Sequence, residues 1–222
     1  MSAEPEPEPG EERRPELPPS PLEMLRDRRA IVDTGVGPVA FVSVNALAGL
    51  ETAAAVAVAI QLVIAAERLI RRRPVTNAIG GLLGTGLAVF IALRSGSAEG
   101  YFVPRMIYAA VLSLVFAGSV VIRKPLTGFI IAQLYRAEPG WTDLPAVRRV
   151  MSEYTLAWAA LFLLRGGVYA ILIYYGRVGS LAVASIAMGL PAFGLLLFLG
   201  YRYVPRRLEQ LGAPPPQREP AP

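Results

Sequence analysis

The stretch LAWAALFLLRGGVYAILIYY, residues 156–175, decides the fold of this chain. About 20 apolar residues at 1.5 Å rise per residue form a helix that crosses the ~30 Å hydrocarbon core of a membrane. Arg165 interrupts this run near its middle, where a charge costs at least about 2.5 kcal/mol. The stretch therefore predicts a transmembrane helix with a charged side chain that faces the helix bundle or a wet cavity.

Similar apolar runs fill most of the chain, which has 222 residues and is 54% hydrophobic. They lie at 36–49, 51–70, 75–93, 105–122, 154–175 and 180–200. These runs do not alternate apolar and polar residues as the strands of a membrane barrel do. The sequence predicts an all-α polytopic membrane helix bundle with about six transmembrane helices, the first of them short.

The basic residues set the expected orientation. With the N-terminus inside, most flanking Arg and Lys residues fall on the cytoplasmic side, and the outer flanks hold only Arg94, Arg105 and Arg177. Cytoplasmic loops of membrane proteins carry an excess of Lys and Arg. We therefore expect a multi-pass protein of the cytoplasmic (inner) membrane with both termini in the cytoplasm.

Two tails flank the apolar segments. Residues 1–30 are rich in Pro and Glu, and residues 205–222 are rich in Pro, so neither can bury a core. We expect both to be disordered cytoplasmic tails around a transmembrane helical domain over 31–204.

The connection after the fourth segment carries its own helix signals. Pro125 disfavours helix at the residue before it, so the fourth helix should end there. Residues 126–135 predict a short apolar helix that lies in the cytoplasmic membrane interface. A continuous helix is expected over 145–175, with Thr142 or Asp143 as its N-cap.

The composition narrows the chemistry. The chain has no Cys and no His, which removes thiol nucleophiles, the usual general base and the commonest metal ligand. Its carboxylates near the membrane form no close pair suited to acid–base catalysis. We expect no metal, no cofactor and no enzymatic activity. The net charge is +5, and the basic residues lie at the membrane edges, which favours lipids over nucleic acid as partners.

Glycine and proline punctuate two of the segments. Gly80 and Gly84 form a G-x-x-x-G pair in the third segment, a spacing that lets another helix approach closely. Pro191 interrupts the sixth segment and should kink it, because it leaves the Ala187 carbonyl without its helical donor. Broken helices mark the substrate sites of some transporters, although a lone proline more often makes only a kink.

Arg165 is the centre of the candidate site. Helical spacing places Trp158 and Tyr169 on its face, and Tyr169 suits a cation–π contact. The amides Asn45 and Gln61 stand at membrane depth in the first two segments. Three interpretations remain open. Arg165 bonds the amides or backbone carbonyls and only fixes packing, it binds the anionic headgroup of a lipid, or it holds the substrate of a small anion transporter or channel.

A second set of candidates is basic and lies at the inner membrane edge. It comprises Arg123, Lys124, Arg148 and Arg149. These residues are expected to contact anionic headgroups or a protein partner, and their alternative role is to anchor the topology.

The ordered motifs RRRPVTNAIGGLLG, LRSGSAEGYFVP, RKPLTGFI and TLAWAALFLLR resemble an actinobacterial family of multispanning membrane proteins of unknown function. The resemblance covers about 36–204. More distantly, the layout is similar to the intracellular septation protein A family. The matching positions are Pro38, Arg71 to Arg73, Lys124-Pro125-Leu126 and Ala157-Trp158-Ala159.

The septation resemblance implies a role in cell-envelope maintenance or division without a known catalytic reaction. Together with Arg165 and the basic inner face, the resemblance indicates a lipid-contacting or scaffold protein. Its partners would be membrane lipids, a second copy of the chain or another envelope protein. Arg165 and the longer tails are departures from the septation pattern.

Overall fold

The chain is an all-helical bundle, as the sequence predicts. The structure is a computed structural model that describes residues 28–71, 76–135 and 137–214. Most of the predicted tail over 1–30, and the end of the tail over 205–222, lie outside these residues. The α-helices in the described part are α1 (Arg28–Ile70), α2 (Thr76–Ser95), α3 (Val103–Val121), α4 (Leu126–Tyr135), α5 (Pro145–Tyr174), α6 (Val178–Ala187) and α7 (Leu190–Gln210). Short 3-10 turns lie at Ala98–Phe102 and Trp141–Asp143.

All six predicted apolar segments are helical. Among the described residues, four helical stretches are long and apolar enough to cross a membrane: Gly37–Glu67, Ala98–Val121, Pro145–Tyr174 and Val178–Gln210. The first of these stretches holds both of the first two predicted segments. The third segment forms α2, whose 20 residues give a length of about 30 Å. Many large apolar side chains are exposed along the helices, which suits a surface that contacts lipid.

Gly49 divides α1 between the first two predicted segments. Its φ of 83° and ψ of 173° are not helical, and glycine adopts this positive φ without a Cβ penalty. The helix before this break begins at Arg28, earlier than the predicted segment start at 36. Its Phe41 stacks on Tyr101 with ring centroids 4.1 Å apart, so it packs against the 3-10 turn that precedes α3.

Small residues bring α3 and α5 together. A Cβ on Gly166 would lie 3.6 Å from the Ala110 backbone nitrogen and 3.7 Å from the Ala109 Cβ. Elsewhere along the same two helices, the Ser113 hydroxyl on α3 donates to the Ala159 carbonyl on α5 at 3.0 Å. Close backbone approach through small residues is the usual way in which membrane helices pack.

The predicted helix over 126–135 is confirmed as α4, and it docks on α5 through a buried polar contact. The Thr127 and Thr155 hydroxyls are hydrogen-bonded at 2.7 Å, and each also lies within hydrogen-bond distance of the Met151 carbonyl, which accepts from the hydroxyl that does not donate to the other. Gly128 lets Met151 approach, because a Cβ there would lie 3.1 Å from its Cγ. The Thr and Gly of the RKPLTGFI motif are thus explained by packing.

The long helix predicted over 145–175 is confirmed as α5. The predicted N-cap is wrong, because Leu144 takes that position and neither Thr142 nor Asp143 caps the helix. Asp143 instead ends the preceding 3-10 turn. The predicted caps therefore lie one and two residues before the observed N-cap.

The sixth predicted segment is broken near its middle. Met188 and Gly189 separate α6 from α7, and Pro191 stands in the first turn of α7. Proline suits this position because the first N–H groups of a helix have no intrahelical partner. At its other end α7 continues to Gln210 with Leu208 buried, past the predicted domain boundary at 204.

Candidate functional site

Arg165 lies well inside the membrane-spanning part of α5. Nine residues separate it from the last residue of the helix, Tyr174, which corresponds to about 14 Å. The residue is half-buried, whereas Leu163 and Leu164 beside it are 67% and 60% exposed. The guanidinium therefore lies between the bundle interior and the lipid-facing side of α5.

A chain of hydroxyl groups leads from Arg165 into the bundle. Its Nη2 donates to the Tyr169 hydroxyl at 3.4 Å, and that hydroxyl donates to the Ser185 Oγ at 3.1 Å. Ser185 in turn donates to the Leu181 carbonyl at 2.8 Å. The predicted pairing of Arg165 with Tyr169 is therefore present, and α6 supplies a residue that the sequence argument missed.

Aromatic rings surround the guanidinium. Its Cζ lies 5.5 Å from the centroid of Tyr169 and 5.9 Å from that of Phe193, both within cation–π range. Phe193 also contacts Trp158, with centroids 5.3 Å apart, and this connects the predicted Trp158 to the site indirectly. Phe193 on α7 was not predicted, because nothing in one sequence reports which residue of a distant helix meets Arg165.

The charge of Arg165 has no counter-ion within the described residues. No described carboxylate forms an ion pair with it, and its buried Nε has no hydrogen-bond partner among them. Its one hydrogen bond to a described side chain, Tyr169, is longer than the usual range. The described residues therefore leave this cation largely without polar partners, which is costly at membrane depth.

The two amides of the predicted site lie elsewhere. Gln61 packs beside α2, with its Oε1 3.2 Å from the position of a Cβ on Gly81. Within the described part of the chain, neither Asn45 nor Gln61 hydrogen-bonds to Arg165, whose one such partner is Tyr169. The interpretation that these amides hold Arg165 for packing is therefore not supported.

The break between α6 and α7 adjoins the site. Ser185 lies one turn before Gly189, and Phe193 lies one turn after it. A Cβ on Gly189 would be 2.8 Å from the Ser185 carbonyl, so the tight path of the chain requires glycine. Two residues next to Arg165 are thus positioned by the broken helix.

The predicted glycine pair does not pack within the described chain. Gly80 and Gly84 are exposed, and no other atom of the described residues lies within 4 Å of a Cβ built on either. Among the described residues, glycines that closely contact a neighbouring helix instead include Gly81, Gly128, Gly166 and Gly200.

The four basic candidates divide into two pairs. Arg148 donates to the Asp143 carbonyl at 2.7 Å, and Arg149 pairs with Glu153 at 3.4 Å. Arg123 and Lys124 are exposed in the turn after α3, where Arg123 has a positive φ of 60°. The second pair is thus the more open to a headgroup or partner.

No metal site is evident in the part of the chain that the structure describes. Within it, there is no group of three or more acidic side chains that could hold a metal ion.

A family described as "Protein of unknown function (DUF3159)" matches residues 27–210. The chain belongs to this family. The match begins one residue before α1 and ends at the last residue of α7, so it covers the whole helical bundle. No curated protein and no solved structure matches the chain.

Membership in this family assigns no activity to the chain. Several residues of the motifs quoted above are used for packing: Thr127 and Gly128 hold α4, and Trp158 lies among the aromatic rings of α5 and α7. Arg165 differs from them, because its charge is left without a counter-ion among the described residues.

Proposed function

We propose that this membrane protein binds an anionic group at Arg165 and serves cell-envelope maintenance or division as a lipid-contacting or scaffold protein, not as an enzyme. The observation that carries the proposal is a half-buried arginine at membrane depth with an unpartnered Nε and no described counter-ion. A bound phosphate or carboxylate would offset its cost, and the planar guanidinium suits bidentate contact with either group.

A lipid headgroup is the source that the surroundings favour. Leu163 and Leu164 are largely exposed, and a Cβ on the exposed Gly167 would meet nothing within 4 Å. An amphiphilic anion can therefore approach Arg165 from the lipid side of α5. The envelope role rests on the septation resemblance, and the inner-membrane location with cytoplasmic termini rests on the distribution of basic residues.

The second candidate is a small anion transporter or channel that uses Arg165. One observation favours it: Ser185 and Phe193, which line the Arg165 site, flank the helix break at Met188 and Gly189. Transporters commonly place substrate sites at discontinuous helices near the membrane midplane.

Ligand-dependent thermal unfolding tests the binding proposal. The purified protein, its Arg165→Gln variant and an Arg94→Gln control are heated in neutral detergent with phosphatidylglycerol, phosphatidylcholine or sodium phosphate. A ligand at 100 times its Kd stabilises a protein by about 2.7 kcal/mol, which corresponds to about 5–10 °C in Tm at this size. We expect phosphatidylglycerol to raise the Tm of wild type and control by about 5–10 °C more than it raises the Tm of Arg165→Gln.

The arms of the experiment separate the two candidates. A shift with phosphatidylglycerol alone supports a headgroup site. A shift with free phosphate, together with phosphate flux into proteoliposomes that Arg165→Gln abolishes, supports transport. Equal shifts in wild type and Arg165→Gln would overturn both.

A further inference from the structure

A second basic site lies at the end of α7 that the orientation argument places in the cytoplasm. The helix is apolar through Leu199 and then changes to YRYVPRRLEQ over 201–210. Tyr201 is 67% exposed, and exposed tyrosine beside arginine is typical of the level of the lipid headgroups. This change marks the membrane edge on α7.

A shallow groove of about 410 Å³ runs along this part of α7. Phe198 and Leu199 line its apolar end, and Arg202, Arg206 and Arg207 line its basic end. The groove thus extends from an apolar surface on the membrane side of this edge to positively charged side chains on the side away from the membrane.

The arginines of the groove differ in their partners. Arg207 lies 3.7 Å from the Glu153 carboxylate and donates to Gln210 at 3.1 Å. The other Glu153 oxygen pairs with Arg149, so two arginines already form ion pairs with this carboxylate. Arg202 and Arg206 have no carboxylate partner among the described residues. The described contact of the Arg202 guanidinium is with the Phe198 ring, at 5.9 Å.

Two arginines four residues apart share one helix face and repel each other unless an anion lies between them. We infer that this groove binds the headgroup of an anionic phospholipid, with the phosphate between Arg202 and Arg206 and an acyl chain along Phe198 and Leu199. The combination of paired cations and an adjoining apolar surface favours a lipid over a soluble anion. The inference is independent of Arg165, which lies on a different helix.

Native mass spectrometry of the full chain in neutral detergent tests the inference, with phosphatidylglycerol, phosphatidylcholine or inorganic phosphate as probes. The double variant Arg202→Gln, Arg206→Gln should bind phosphatidylglycerol about 30-fold more weakly at one site, because each arginine near the membrane surface strengthens the binding of an anionic lipid by about 5-fold. The Arg202→Lys, Arg206→Lys variant keeps both charges and should stay within about 3-fold of wild type.

The controls keep the outcomes distinct. Arg165→Gln should leave this site unchanged, so a failed Arg165 proposal does not affect it. The melting temperature of each variant shows that it is folded, and the Lys variant serves as a second probe if the Gln variant is not. Unchanged binding in the Gln variant, equal binding of phosphatidylcholine, or displacement by millimolar phosphate would overturn the inference.

Discussion

Replacement of Arg165 by Met should leave the melting temperature nearly unchanged. Methionine has a long flexible side chain, so it keeps much of the packing of the arginine stem while removing the charge. The substitution removes one hydrogen bond of 3.4 Å to Tyr169 and two cation–π contacts, with Tyr169 and Phe193.

The magnitudes nearly cancel. A hydrogen bond this long counts at the low end of about 0.5–1.5 kcal/mol, and each cation–π contact contributes about 0.5–1 kcal/mol. Because Arg165 is half-buried, removal of its charge recovers the low end of the insertion cost, about 2.5 kcal/mol. The net change is therefore within about 1 kcal/mol, or less than about 4 °C in Tm for a chain of this size.

The assay is thermal unfolding of wild type and Arg165→Met in the same neutral detergent without added anion. Tyr169→Phe is the control, because it removes a fully buried hydroxyl that lies between Arg165 and Ser185. That control should lower Tm by a few degrees. A broken buried pair costs about 3–5 kcal/mol, so a drop of about 6 °C or more in Arg165→Met would refute the reasoning and make Arg165 a packing residue.

Three further predictions concern packing and orientation. Gly200→Ala should lower the free energy of unfolding by about 1–2 kcal/mol, because the added Cβ would collide with the Tyr154 ring. In a double-mutant cycle, Tyr154→Ala should remove this loss, and independent effects of the two substitutions would contradict the collision. Thr155→Val should lower the free energy of unfolding by about 1–2 kcal/mol in thermal unfolding, because it removes the buried hydroxyl contact that holds α4. Thr155→Ser keeps the hydroxyl and should not cause this loss, so equal losses in the two variants would contradict the role of the contact. The chain has no native Cys, so Gln210→Cys should react with an impermeant maleimide only in opened cells and Arg177→Cys in intact ones; the reverse pattern would invert the orientation.

The sequence could predict the helices because their signals are local. Apolar length predicted the spans, Pro125 predicted the end of α3, and Pro191 predicted the interruption between α6 and α7. The contact between Arg165 and Tyr169 could also be predicted, because the two residues lie one turn apart on the same helix.

The contacts between helices could not be predicted in this way. Glycine spacing identifies a helix face that permits close approach, but it does not identify the neighbouring helix. The spacing therefore favours Gly80 and Gly84 as packing residues, whereas the structure places close contacts at glycines such as Gly81 and Gly166. Ser185 joins the site only through the register between α5 and α6, which a single sequence does not encode in any local pattern.

The central claim, an anion bound at Arg165, is tested most directly by counting bound ligands after the α7 groove has been removed. Native mass spectrometry would compare the Arg202→Gln, Arg206→Gln protein with the same protein carrying Arg165→Gln as well, each with phosphatidylglycerol. We predict that one anionic lipid remains bound to the first protein and is lost from the second. Equal occupancy in the two proteins would contradict the claim.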